Sequence, residues 1–235
     1  MAALLKVEGL KKSFGGIAAL RDGRFELEAG TVHALCGGNG AGKSTFLSIL
    51  MGIYRRDAGK IWRNDQEVDF SSPAEALASG IAIIEQELSP IPQMTVAENI
   101  FLGREPPGRF GGVYFRKMNA AAQTILDDLG FAISATRHMY SLSVAQAQLV
   151  EIAKALSHEA EVIFMDEPTS AIGHREAHQL FAVVQRLRAQ GRGIVYVSHR
   201  LSEIFDVADR YTVFRDGATS TRGCSLTSIA QASFA

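Results

Sequence analysis

The segment Gly37-Gly38-Asn39-Gly40-Ala41-Gly42-Lys43-Ser44 fits G-x-x-x-x-G-K-[ST], the spacing of a phosphate-binding loop. Glycines at this spacing let successive backbone N–H groups curl toward an anion. Lys43 adds a point charge for β- and γ-phosphates, and Ser44 supplies a hydroxyl for Mg²⁺. Thr45, next in the chain, completes the local set of candidate nucleotide-binding residues. Further on, Val162-Ile163-Phe164-Met165-Asp166-Glu167 is an apolar strand ending in two carboxylates. Asp166 would hold Mg²⁺ through water, and Glu167, pointing differently by one residue, could orient or deprotonate an attacking water. An apolar strand ending in Asp-Glu is by itself more often a solvated strand end. Beside a phosphate loop the odds reverse.

Such groups act only if secondary structure places them, and the chain around them has the needed pattern. Val- and Ile-rich apolar runs alternate with segments of helical period, which predicts an α/β fold built on a P-loop core with a mostly parallel sheet. Residues 32–36 read as a strand running straight into the loop. From Lys43 the period is helical through Phe46, Leu47, Leu50 and Met51 until Gly52. Residues 4–7 and 24–28 are strand-like, with a hairpin expected at Ala29-Gly30, so an N-terminal antiparallel β subdomain should precede the α/β core. Residues 81–84, 161–165 and 194–197 are strand-sized, and the carboxylate-bearing strand suits a place parallel to and beside the loop's strand. Helical patterns over 118–129 and 144–156 mark a helical subdomain at about 87–158, and 176–188 is amphipathic. The expected nucleotide-binding domain covers 1–217, with 218–235, rich in Ser, Thr and Ala, left as a loosely structured tail.

Composition narrows the function classes. In 235 residues, 24 Lys and Arg nearly balance 25 Asp and Glu, for a formal net charge of −1, and 47% of the residues are hydrophobic. Whole-chain disorder is excluded, and no field of one sign argues for nucleic acid, so no nucleic-acid partner is expected. Cys36 and Cys224 have no metal-ligand spacing. No apolar run reaches bilayer length, and Lys6 and Glu8 interrupt what a signal peptide would keep apolar, so a cytoplasmic location is expected.

With these motifs in view the chain resembles the ATP-binding cassette ATPases. Four further motifs stand in family order: Phe14 in Lys-Ser-Phe-Gly-Gly, Gln86 in Ile-Glu-Gln-Glu, Leu142-Ser143-Val144-Ala145-Gln146, and His199 in Val-Ser-His-Arg. The wording from Met94 to Ile100 and from Leu102 to Glu105 is similar to the branch that imports ribose, xylose, arabinose and galactose. The resemblance implies that Phe14 stacks on adenine, as an aromatic face can without hydrogen bonds. It implies that Gln86 reaches Mg²⁺ or the lytic water, and that His199 contacts the γ-phosphate as a neutral donor or a cation. Residues 142–146 match the family's signature motif, in which Ser143, the N–H of Ala145, and Gln146 would face the nucleotide of an opposing cassette. Locally, Ser143 is indistinguishable from an ordinary helix N-cap.

Three departures from the family pattern stand out. Gly38 replaces an acidic residue usual in the branch, Val144 and Ala145 add bulk where glycines usually approach the nucleotide, and Ser170-Ala171-Ile172-Gly173 lacks a common Asp. The implied function is an ATPase subunit that binds Mg-ATP, closes against a second cassette, and energises separate permease subunits served by an external sugar-binding protein. It would sit on the cytoplasmic face of the membrane. A cassette that binds ATP with little hydrolysis, and a non-transport cassette, are the alternatives. The second usually carries coiled-coil or basic insertions, which this sequence lacks.

Overall fold

The computed structural model describes residues 3–85, 89–108, 112–158, 160–170 and 172–223, except the side chains of His174 and Arg175. The chain divides into two compact units, one of residues 1–83, 160–167 and 184–235, the other of residues 84–159 and 168–183.

In the first unit, β1 (Ala3–Phe14) and β2 (Ile17–Glu28) form an antiparallel hairpin closed at Gly15-Gly16, both left-handed, as a tight hairpin turn requires. Alternation holds over residues 23–27, with Gly23, Phe25 and Leu27 buried and Arg24 and Glu26 exposed, and Leu20 is buried in the other phase, beyond a register shift between β1 and β2. β3 (Val32–Cys36) leads to α1 (Lys43–Leu50), β4 (Ala58–Arg63), β5 (Gln66–Val68), α2 (Pro73–Ala78) and β6 (Ile81–Ile84). α2 begins with Ser72, whose hydroxyl accepts the Glu75 N–H, and with Pro73 at its first position.

The second unit opens with α3 (Val96–Ile100), α4 (Phe115–Asp128), a 3₁₀ turn at Met139–Ser141, and α5 (Val144–Leu156). Its apolar side chains, among them Val96, Ile100, Met118, Leu126 and Ile152, are buried where α3 packs on α4 and α5. The chain then runs through β7 (Val162–Asp166), α6 (His174–Ala189), β8 (Gly193–Val197), α7 (Leu201–Val207), β9 (Arg210–Arg215) and β10 (Ala218–Gly223). No described helix is long and apolar enough to cross a membrane.

The strand order is β5-β4-β1-β2-β10-β9-β3-β8-β7-β6. Strands β9, β3, β8 and β7 are mutually parallel, whereas β1, β2, β4 and β5 are antiparallel. β3 and β8 are buried at every position, as strands covered on both faces must be.

Three sequence expectations need correction. Ala29-Gly30 is not a hairpin: β3 pairs with β8 and β9, and the Gly30 N–H goes to the Gly191 carbonyl instead. The carboxylate strand β7 is parallel to β3 but not beside it, because β8 lies between them. The tail is not loose from 218. Ala218–Gly223 is β10, paired antiparallel with β9, and Thr219 Oγ1 both accepts the Arg24 N–H and donates to its carbonyl. Its small polar side chains leave no apolar period, so backbone pairing forms the strand. Residues 224–235 lie outside the described set.

His33, at the heart of β3, is 4% exposed and its Nε2 lies 2.8 Å from Thr212 Oγ1. Burial, with Arg210 adding repulsion, drives its imidazole from 6.5 down to about 4, so it is neutral in the fold. Between those values the unfolded ring takes up a proton that the folded ring refuses. The stability this site contributes is therefore present above pH 6.5 and lost as pH falls toward 4, about 2 kcal/mol of it by pH 5. Unfolding free energies from urea titrations at pH 7 and pH 5 should differ by that much less in His33→Gln than in the parent chain.

Candidate functional site

The ends of β3, β8 and β7 emerge on one edge of the parallel sheet, which is where ligands of open α/β sheets bind. β3 delivers the loop of residues 37–42 into α1, and the packing under α1 is aromatic. Phe46 is fully buried, with ring centroids 5.8 Å from Phe25 and 5.1 Å from Phe214. Losing such a ring from a core costs about 3–5 kcal/mol.

Two glycines are required by space as well as by conformation. A Cβ at Gly37 (φ 150) would stand 2.5 Å from the Phe214 carbonyl oxygen, and one at Gly42 (φ 100) 2.8 Å from that of Ala19. A Cβ at Gly38, by contrast, would meet nothing within 4 Å, so the packing leaves room for a side chain there. Gly38, Asn39 and Gly40 are exposed, and Ala41 is buried beneath them.

Lys43 Nζ donates to the carbonyls of Gly37 at 2.7 Å and Gly38 at 3.1 Å, so the ammonium lies over the loop it must serve. Burial pulls its pKa below the usual value, against the opposing pull of Glu167, Asp166 and Cys36. The two carboxylates at the end of β7 thus face the same cation. Ser44 is exposed and Thr45 half-buried in the first turn of α1, whose positive end adds to the field on a phosphate.

Glu167 has φ 45, a left-handed conformation that costs a non-glycine residue about 1–3 kcal/mol. Its N–H donates to the Val197 carbonyl at 3.0 Å, which holds the bend against β8. The bend sends its carboxylate to His199, whose Nδ1 lies 2.9 Å from Glu167 Oε1. His199 is exposed while Glu167 is mostly covered.

A residue that the sequence did not single out organises this corner. Glu203, 7% exposed at the start of α7, accepts from Tyr196 Oη, Ser198 Oγ and Arg200 Nη1, each at 3.1 Å. Ser198 Oγ also accepts the Arg200 N–H at 3.0 Å. Both neighbours of His199 are therefore tied to one buried carboxylate. An acidic residue in a helix's first turn is too common to flag this role from sequence.

Phe14, at the end of β1, is 42% exposed. Gln86 and Ala171 lie outside the described residues. Ser143, Ala145 and Gln146 belong to the second unit, where Ser143 caps α5. Its Oγ accepts the Gln146 N–H and Gln146 Oε1 accepts the Ser143 N–H, both at 3.2 Å. This cap leaves the Ser143 hydroxyl proton available to an anion. Arg137 steadies the approach by donating to the Ser141 carbonyl at 2.6 Å.

The sequence pattern of the ABC transporter family matches residues 20–170, more than half of the chain. The chain belongs to the ABC transporter family. This ABC cassette is 48% identical over 214 residues to a ribose/galactose/methyl galactoside import ATP-binding protein of Agrobacterium fabrum, covering 91% of the chain. It is 49% identical to the same-named protein of Rhizobium meliloti, also over 91%. The cassette spans 42% of the length of each of these relatives. Among solved structures it is similar to a nucleotide-free ATP-binding cassette from an ABC transporter, with a TM-score of 0.86 and 28% identity, covering 97% of this chain and 94% of that one. It is also similar to the ADP conformation of an ATP-binding cassette, with a TM-score of 0.87 and 28% identity, covering 98% and 94%.

The donor set of this cassette suits Mg²⁺. Ser44 and Asp166 offer hard oxygen ligands, and among the described residues no group of three or more His, Cys, Asp or Glu could hold a metal ion alone. The ion would complete its shell with phosphate and water.

Proposed function

We propose that this chain is the ATP-binding and ATP-hydrolysing cassette of a monosaccharide importer, energising separate permease subunits at the cytoplasmic face of the membrane. The observation that carries this reading is the contact of Glu167 with His199 at 2.9 Å, on the same sheet edge as the loop of Lys43. The import substrate is taken from the names of the relatives, ribose, galactose and methyl galactoside.

Phe14 would stack on adenine, and the N–H groups of residues 37–45 with Lys43 would hold the phosphates. Mg²⁺, which Ser44, Gln86 and, through water, Asp166 would hold, would neutralise charge on the β- and γ-phosphates. Water then adds to the γ-phosphorus as the bond to the β,γ-bridging oxygen breaks, releasing ADP and phosphate. Glu167 accepts the water's proton. With its Nδ1–H directed at Glu167, His199 donates to a γ-phosphate oxygen through Nε2 only as the imidazolium.

A second cassette would complete the site through its own Ser143, Ala145 and Gln146. Tyr140 just before this motif and Val144 within it are exposed and support such a contact surface. Leu102, Val113, Tyr114 and Phe115, exposed on the second unit, support docking on a permease. Phosphate release by the purified chain with Mg-ATP, followed across a protein concentration series, tests the reading. Turnover rising more steeply than linearly is the expected result, and ATP left unhydrolysed at every concentration would overturn hydrolysis by paired copies of this chain.

A further inference from the structure

The aromatic residue assigned to adenine is not alone. Phe14 and Tyr54 are both 42% exposed, and their rings meet edge to face with centroids 5.1 Å apart and planes at 72°. Tyr54 lies in the loop between α1 and β4, and that loop is anchored along its length. The N–H groups of Ile53 and Tyr54 donate to the Ser48 carbonyl, and the Asp57 N–H donates to that of Lys11. Arg56 donates to the Val68 carbonyl at 3.1 Å. Asp57 accepts from Lys12 Nζ at 3.0 Å and from the Ser13 N–H at 2.7 Å, and that same ammonium stands 5.4 Å from the centroid of Phe14.

A half-exposed Phe at a strand end has rotamers to choose from, and a base can stack only on the one that presents its face correctly. Here three side chains remove the choice. The tyrosine ring limits rotation on one side, and the Lys12 ammonium is held near the ring by Asp57.

We propose that Tyr54 is a positioning residue for the nucleotide base, fixing the plane of Phe14 against which adenine stacks. This rests on the assignment of Phe14 to adenine and goes beyond it. Through its N–H bond to the Ser48 carbonyl, Tyr54 also ties the base platform at the end of β1 to the end of α1, the helix whose first turn carries Lys43 and Ser44.

Calorimetric titration of the chain with Mg-ATP and, separately, with inorganic triphosphate tests this, because the second ligand has no base to stack. Tyr54→Ala should weaken ATP about 3- to 10-fold, leave inorganic triphosphate unchanged, and be rescued by Tyr54→Phe. Phe14→Ala should weaken ATP about 10- to 100-fold, also without effect on triphosphate. The double variant should bind ATP no more weakly than Phe14→Ala, since Tyr54 acts through that ring. Unchanged ATP affinity in Tyr54→Ala, or equal loss of both ligands, overturns the role of Tyr54 while leaving that of Phe14 standing. Unchanged ATP affinity in Phe14→Ala overturns both.

Discussion

Lys43→Ala is expected to weaken ATP binding about 10²-fold while leaving the fold intact. Lys43 Nζ already gathers the carbonyls of Gly37 and Gly38, so it stands over the curl of backbone that would hold the β- and γ-phosphates. A phosphate competes with those carbonyls for the same donor and wins by charge. Each hydrogen bond between charged groups is worth about 1.5–3 kcal/mol, and a loss of about 3 kcal/mol is about 10²-fold in affinity. Stability should move little, because alanine is a good helix former and truncation relieves the cost of burying an ammonium. Titration with ATP gives the first quantity and a thermal melt without nucleotide the second. A fall in melting temperature that accounts for the lost affinity would make Lys43 a packing residue instead.

The local motifs were legible in the sequence because each is carried by adjacent residues with adjacent causes. Glycines at 37, 40 and 42, Lys43 and the helical period after it all sit within one strand-loop-helix unit, and the structure builds that unit. Long-range order was not legible. Nothing in residues 162–166 says that β8 will insert between β7 and β3, since any buried parallel strand has the same apolar composition. The misplaced hairpin has the same origin: Ala29-Gly30 has turn chemistry, but the partner of β3 is chosen by strands far along the chain.

Residues that act through others were hidden for a related reason. Tyr54 meets Phe14 across forty positions of sequence, and Glu203 gathers Tyr196, Ser198 and Arg200 only once α7 folds back beside β8. Their side-chain types are ordinary, and only tertiary contact makes them specific. Ser143 shows the opposite case, since the ordinary cap and the proposed phosphate contact use different parts of one hydroxyl. Finding the cap therefore leaves the phosphate contact open to the chain.

Glu167→Gln should lower ATP hydrolysis about 10²- to 10⁴-fold, the range that a positioned proton acceptor contributes. The substitution suits the question because it alters so little else. Glutamine keeps the length of the side chain, and its carbonyl oxygen can still accept from His199 Nδ1, as Glu167 Oε1 does at 2.9 Å. The backbone bend at φ 45 is held by the N–H bond to Val197, which involves no side-chain atom. Lys43 loses the attraction of one carboxylate but keeps that of Asp166, so ATP affinity should change by only a few-fold. What glutamine lacks is the basicity to take a proton from water. Single-turnover hydrolysis and equilibrium ATP binding measured on the same preparation separate the two effects. A loss confined to hydrolysis assigns Glu167 to proton transfer; a parallel loss of binding would reduce it to a counter-ion of Lys43. Hydrolysis surviving within about ten-fold of the parent would transfer the acceptor role to another group on this edge of the sheet.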